Sequence, residues 1–184
     1  MNRVKPIDIA KWFMKQNIEG IDNSKDGNMK LQKLLFFSQM MYMAKNDGKT
    51  MFEEEFHAFE HGMVFQDVLW KYQKEYKTLE KEANEEIDIP EDIEKILIAT
   101  KEIFGICTPE ELSNMTHELK AWKKYFKKSI LGIGKYNSSK SKVPYKELEE
   151  DLYRMKKILD SYNRTSSFEY EDEEEDICKV RYNI

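Results

Sequence analysis

The stretch Asn28–Lys45, NMKLQKLLFFSQMMYMAK, constrains the fold more than any other. Projected at 100° per residue, its apolar side chains form no single stripe. Leu31, Leu34 and Leu35 face one way and Phe36 and Met43 another, while Phe37, Met40, Met41 and Ala44 close the circle. A helix that is apolar all round is buried on all sides. At about 16 residues it is too short to cross a bilayer, and Lys30, Lys33 and Lys45 flank it. The reading is the central helix, 29–45, of a helical domain. Asp26-Gly27-Asn28 reads as a turn leaving Asn28 as the N-cap, and Asn46-Asp47-Gly48 reads as the stop.

The other segments supply partners for that helix. Ile7, Ala10 and Met14, with Trp12 and Phe13, predict a short helix from Pro6 to about Asn17. Phe65, Val68, Leu69, Tyr72, Tyr76 and Leu79 predict a helix over 66–79, with a charged connector to Pro90. Ile93, Ile96, Leu97, Thr100, Ile103 and Phe104 mark the next, ended by Gly105 at C′. Thr108-Pro109-Glu110-Glu111 is a capping box, whose helix is expected to bend near His117 and continue through Trp122, Tyr125 and Phe126. Residues 131–143 read as a Gly/Ser/Lys loop. Pro144 opens the last helix, with Tyr145, Leu148, Leu152, Met155, Leu159 and Tyr162 on one face. The fold class is thus all-α, a compact bundle of about six helices. Residues 51–62 fit helical spacing through Phe52, Phe56, Phe59 and Met63, and fit an alternating strand equally well.

Charge divides the chain. Residues 163–184 hold seven acids and three bases, and residues 1–162 are nearly neutral. The domain is therefore expected at 1–162, with 163–184 an acidic, flexible tail ending in a β-prone ICKVRYNI. The near-neutral body argues against a surface that tracks phosphates. Cys107 and Cys178 are too few and too distant for a disulfide framework or a zinc ribbon. No apolar run suits a signal peptide, so a reducing cytoplasm is the expected location.

Four patterns carry possible chemistry. His57-Ala58-Phe59-Glu60-His61 spells H-x-x-E-H, which binds zinc only where both His lie one turn apart on a helix. Thr116-His117 suggests a general base, but no nucleophile or second acid is spaced for it. Cys107 precedes a helix N-terminus that would favour a thiolate, although a small apolar filler beside Ile106 explains it as well. Lys123, Lys124, Lys127, Lys128, Lys135, Lys140 and Lys142, interleaved with Trp122, Tyr125, Phe126 and Tyr136, suggest nucleic acid, the chain's own acidic tail or an acidic partner, although a solvated helix face explains them more simply. Gly132-Ile133-Gly134-Lys135 lacks the spacing of a phosphate loop.

Three segments resemble a known family. Lys30-Leu31-Gln32-Lys33-Leu34-Leu35-Phe36-Phe37-Ser38-Gln39 is similar to the KLQKLLYYAQ signature of the Panacea, or SocA-like, domain. Met51–Val64 resembles its LFxExIEAWxxGPV, with Gly62-Met63 in place of Gly-Pro and Phe59 in place of Trp. Leu112-Ser113-Asn114-Met115-Thr116-His117, followed by Trp122, resembles LSxLTHxxxxW. The match covers roughly residues 5–162. The resemblance implies a short extended segment near 55–60. It also implies a non-enzymatic, cofactor-free antitoxin that neutralises a cognate toxin by direct contact, some members acting as adaptors that hand the toxin to a protease. Lys30, Leu31, Gln32, Lys33, Gly62, Thr116, His117 and Trp122 are then positions that shape the domain, and Lys123, Lys124, Lys127 and Lys128 are candidate partner contacts. A phage counter-defence binder, a nucleic-acid-binding regulator using the 123–142 lysines, and a hydrolase on His57, Glu60 and His61 are the alternatives.

Overall fold

The computed structural model describes residues 4–130 and 138–165, with the side chains of 128–130 and 138–139 excepted. Residues 166–184 of the expected acidic tail, its terminal strand included, with Lys135 and most of the Gly/Ser loop, lie outside the described residues, and 163–165 are the end of the last helix.

The chain is mostly helical with one small sheet. In order it forms α1 (Pro6–Lys15), α2 (Lys25–Lys45), β1 (Phe56–Phe59), β2 (Gly62–Val64), α3 (Gln66–Ala83), α4 (Glu91–Phe104), α5 (Pro109–His117) and α6 (Lys120–Ile130). After these come α7 (Ser138–Ser141), β3 (Lys142–Val143), a 3-10 helix (Tyr145–Asp151) and α8 (Leu152–Thr165).

The α2 helix is the axis of the molecule. From Gly27 to Ala44 every residue is buried except the half-buried Met29 and Tyr42. Helices α1, α3, α4, α5 and α8 and strand β2 all pack against it. Phe36 meets Phe37 and Phe56 edge-on, and Phe37 stacks on Phe104 at 4.4 Å, so aromatic pairs join α2 to the sheet and to α4.

The helix starts earlier than its apolar pattern suggests. Ser24 is the N-cap, its hydroxyl accepting from the Gly27 N–H (2.9 Å), and not Asn28. Asn28 is buried inside the first turns and donates to the Leu69 carbonyl. The C-terminus follows the expected stop. Asp47 and Gly48 take positive φ, and the Gly48 N–H closes back on the Met43 carbonyl (2.8 Å), a Schellman closure.

The remaining differences are local. The α3 helix runs on to Ala83, one further turn of the apolar face beyond Leu79, with a non-helical kink at Glu75. Gly105 is a C-cap at φ −65°, a conformation open to any residue, and not a left-handed stop. The Thr108 capping box forms, and the α5–α6 break falls after His117. Pro144 opens a 3-10 helix, and α8 begins only at Leu152.

Residues 56–64 are a hairpin and not a helix. Phe56 and Ala58 point into the core while His57 and Phe59 are half-buried, the alternation of a strand. Phe59 pairs with Gly62 around the two-residue turn Glu60-His61. The sheet has the order β2-β1-β3, all antiparallel. Its third strand, Lys142–Val143, lies within the stretch expected to be loop.

Candidate functional site

The three segments that carried the resemblance meet at the β1–β2 hairpin. Strand β2 is an edge of the sheet, and an edge leaves backbone groups in need of partners. The α2 helix supplies them from polar side chains set among its apolar ones. Lys33 Nζ donates to the Met63 carbonyl (3.2 Å), and the Phe65 N–H donates to Gln32 Oε1 (2.8 Å). The same device recurs along the helix. Lys30 Nζ donates to the Glu19 carbonyl (2.6 Å), and Gln39 Oε1 accepts from the Met51 N–H (3.1 Å). Lys30, Gln32, Lys33 and Gln39 are all buried, and each holds a backbone group outside α2. Leu31 between them is fully buried core.

The turn of the hairpin is held carbonyl by carbonyl from the other side. Trp122 Nε1 donates to the Phe59 carbonyl (2.8 Å) and Ser113 Oγ to the His61 carbonyl (3.0 Å). The Glu60 backbone hydrogen-bonds the His117 ring. His117 in turn stacks on Trp122 at 4.1 Å, and Trp122 on Phe126 at 4.8 Å. With Lys33 on Met63, the carbonyls of residues 59, 60, 61 and 63 are therefore engaged by α2, α5 and α6.

Gly62 is the point where these elements touch. Its φ is +98°, which side-chain-bearing residues rarely adopt. A Cβ there would stand 2.0 Å from Thr116 Oγ1 and 2.9 Å from Lys33 Cε. Thr116, fully buried, turns its hydroxyl to the Ser113 carbonyl (2.7 Å). Glycine is required at 62 both by conformation and by space.

Burial sets the electrostatics. Lys33 is fully enclosed, and desolvation alone pulls its ammonium down to about 7. Lys30 is also lowered by desolvation, against the attraction of Glu19 and Glu111. His117 is held below its ordinary value by burial, while its hydrogen bond with the Glu60 backbone works in the opposite direction.

The H-x-x-E-H residues are differently placed. His57 lies on β1 with Nδ1 3.0 Å from Ser141 Oγ, whereas Glu60 and His61 are the exposed tip of the turn. A strand and a turn cannot give the one-turn helical spacing that this zinc motif uses. Among the described residues no group of three or more His, Cys, Asp or Glu could hold a metal ion. His117 bonds the hairpin backbone, Thr116 bonds its own helix at the Ser113 carbonyl and packs against Gly62, and Cys107 is packed in the core.

The described lysines of α6, α7 and β3 divide into two sets. Lys124 pairs with Glu147 of the 3-10 helix (2.5 Å), and Lys142 pairs with Glu55 (3.1 Å). Lys123, Lys127 and Lys140 are exposed. Lys128 lies on α6, its side chain outside those described.

The sequence pointed to most of these residues but not to what they hold. Ser113 and Gln39 stand inside the quoted motifs, yet their partners are backbone groups, which leave no mark in a sequence. The detectable signal was a polar residue inside a helix that is otherwise apolar all round.

A family model described as antitoxin SocA-like, Panacea domain, matches residues 31–123. That span is half of the chain and contains α2 from Leu31 onward, the hairpin, α5 and Trp122; the chain belongs to this family. No curated protein matches the chain, and no solved structure does. Among the described residues no helix is long and apolar enough to cross a membrane.

Proposed function

We propose that this protein is the antitoxin of a toxin–antitoxin pair and acts by binding its toxin directly, without catalysis. The observation that carries this is the family match over 31–123, an antitoxin-type domain. The site geometry agrees with it. The family-motif side chains are spent on holding backbone: Lys30, Gln32 and Lys33 from α2, Ser113 and His117 from α5, Trp122 from α6. Such residues make a rigid scaffold, and recognition falls to the surface the scaffold presents. Residues 1–162 form the binding unit in this reading, with 163–184 an acidic appendage, and the partner contacts include Lys123, Lys124, Lys127 and Lys128 of α6.

The test is co-expression. A neighbouring gene product that arrests growth alone should be tolerated when this protein is present, and the two should co-elute as one complex. Protection without a complex would indicate another mechanism. Loss of protection in a host lacking its ATP-dependent proteases, with the complex intact, would make the protein a proteolytic adaptor.

A further inference from the structure

We infer that the outer face of α6 and α7 is the docking surface for the partner and that it fits an acidic protein surface; this rests on the toxin-binding reading above. Between Glu118 and Glu147 the chain carries nine lysines and no acidic residue, although the whole chain has a net charge of −5. The rest of the chain therefore carries −14. A local excess of this size persists on the surface only where the fold's own acids do not neutralise it.

The fold neutralises one side of it. Lys120 pairs with Glu150 (2.8 Å) and Lys124 with Glu147 (2.5 Å), both across the seam to the 3-10 helix, and Lys142 pairs with Glu55 (3.1 Å). Lys123 and Lys127, one turn apart on α6, and Lys140 on α7 are exposed and have no ion pair among the described residues. The two helices pack together. The lysines on α6 run beside Trp122 and Phe126, which are half-buried, stacked on each other and likewise one turn apart. Aromatic rings are enriched at protein interfaces, whose rims are polar, and the lysines add the sign of charge that selects an acidic partner.

The shape of the charge favours protein over nucleic acid. Glu118, Glu147 and Glu150 stand at the seam side of the patch. A phosphate backbone needs a continuous basic track and would run from these lysines onto acids. A compact acidic patch on a protein meets only the lysines.

The experiment titrates the full chain with a short fluorescent glutamate-rich peptide by anisotropy, and with duplex and single-stranded DNA of similar charge. Saturable peptide binding is expected, weakened about tenfold in the triple variant Lys123→Glu/Lys127→Glu/Lys140→Glu, the summed loss of several exposed charge contacts. The control Lys74→Glu/Lys77→Glu/Lys81→Glu makes the same change of net charge on the exposed side of α3 and should leave binding within about twofold. Equal weakening in both variants, or tighter binding of DNA than of peptide, overturns the proposal. Co-expression separates it from the antitoxin reading. If the wild type protects and the α6–α7 variant protects equally, the surface is wrong and the antitoxin reading stands. If the wild type protects against no toxin yet the peptide still distinguishes the two variants, the surface stands and the antitoxin reading falls.

Discussion

Lys33 shows what single residues do in this protein. Its ammonium is fully enclosed, and of its donors one reaches the Met63 carbonyl. Folding lowers its pKa from 10.5 to about 7. Below about 7 both folded and unfolded chains carry the proton, so the folded state bears the whole desolvation penalty. Between about 7 and 10.5 the unfolded chain holds a proton that the folded chain has released, and stability rises with pH. His117, lowered by burial, adds the same sign around its own titration. Lys33→Met keeps the length and removes the amine. It is expected to be more stable than wild type at neutral pH by on the order of 1 kcal/mol, the gap closing towards pH 10. Melting curves taken across that range check it, and parallel pH profiles for the two proteins would contradict it. Gly62 is the complementary case. Gly62→Ala meets both the +98° φ and Thr116 Oγ1, and should cost about 2–3 kcal/mol. Adding Thr116→Ala should recover part of that loss, and a denaturant double-mutant cycle reads the coupling.

At the scale of elements, helix α2 and the hairpin depend on each other. The helix supplies polar groups to the β2 edge, and the hairpin covers the aromatic face of Phe36. Helices α5 and α6 complete the turn through Ser113, His117 and Trp122. Trp122→Phe keeps most of the stack and removes the donor to the Phe59 carbonyl. It should cost about 1 kcal/mol, with faster amide exchange at the turn and little change on α4. What the sequence could reveal follows from how these elements are made. Helix α2 was legible because its apolar residues cover every face, and the Thr108 capping box because its side chains pair locally. The start of α2 was missed because Ser24 caps from beyond the apolar run, in a polar stretch that offers several equivalent caps. The β3 strand was missed because two residues, Lys142 and Val143, show no period, and only pairing with Phe56 and His57 makes them a strand. Of the hairpin clamp, the sequence showed the donors and hid the acceptors, which are carbonyls.

At the scale of the whole molecule, the fold is a scaffold whose motif residues face inward. Lys30, Gln32, Lys33 and Thr116 are all buried, so a family signature that reads like a polar site is a set of internal braces. Function then has to be read from surfaces, and the α6–α7 face is where charge and aromatic rings coincide. On the antitoxin proposal, a protein built this way acts by occupying its target. The direct measurement is a titration of the toxin's activity, in vitro, against increasing amounts of this protein. A binder abolishes activity only as the two approach equal concentration, with a sharp equivalence point. Complete inactivation by a small fraction of an equivalent, increasing with time, would mean turnover and would contradict the assignment of the motif residues as structural.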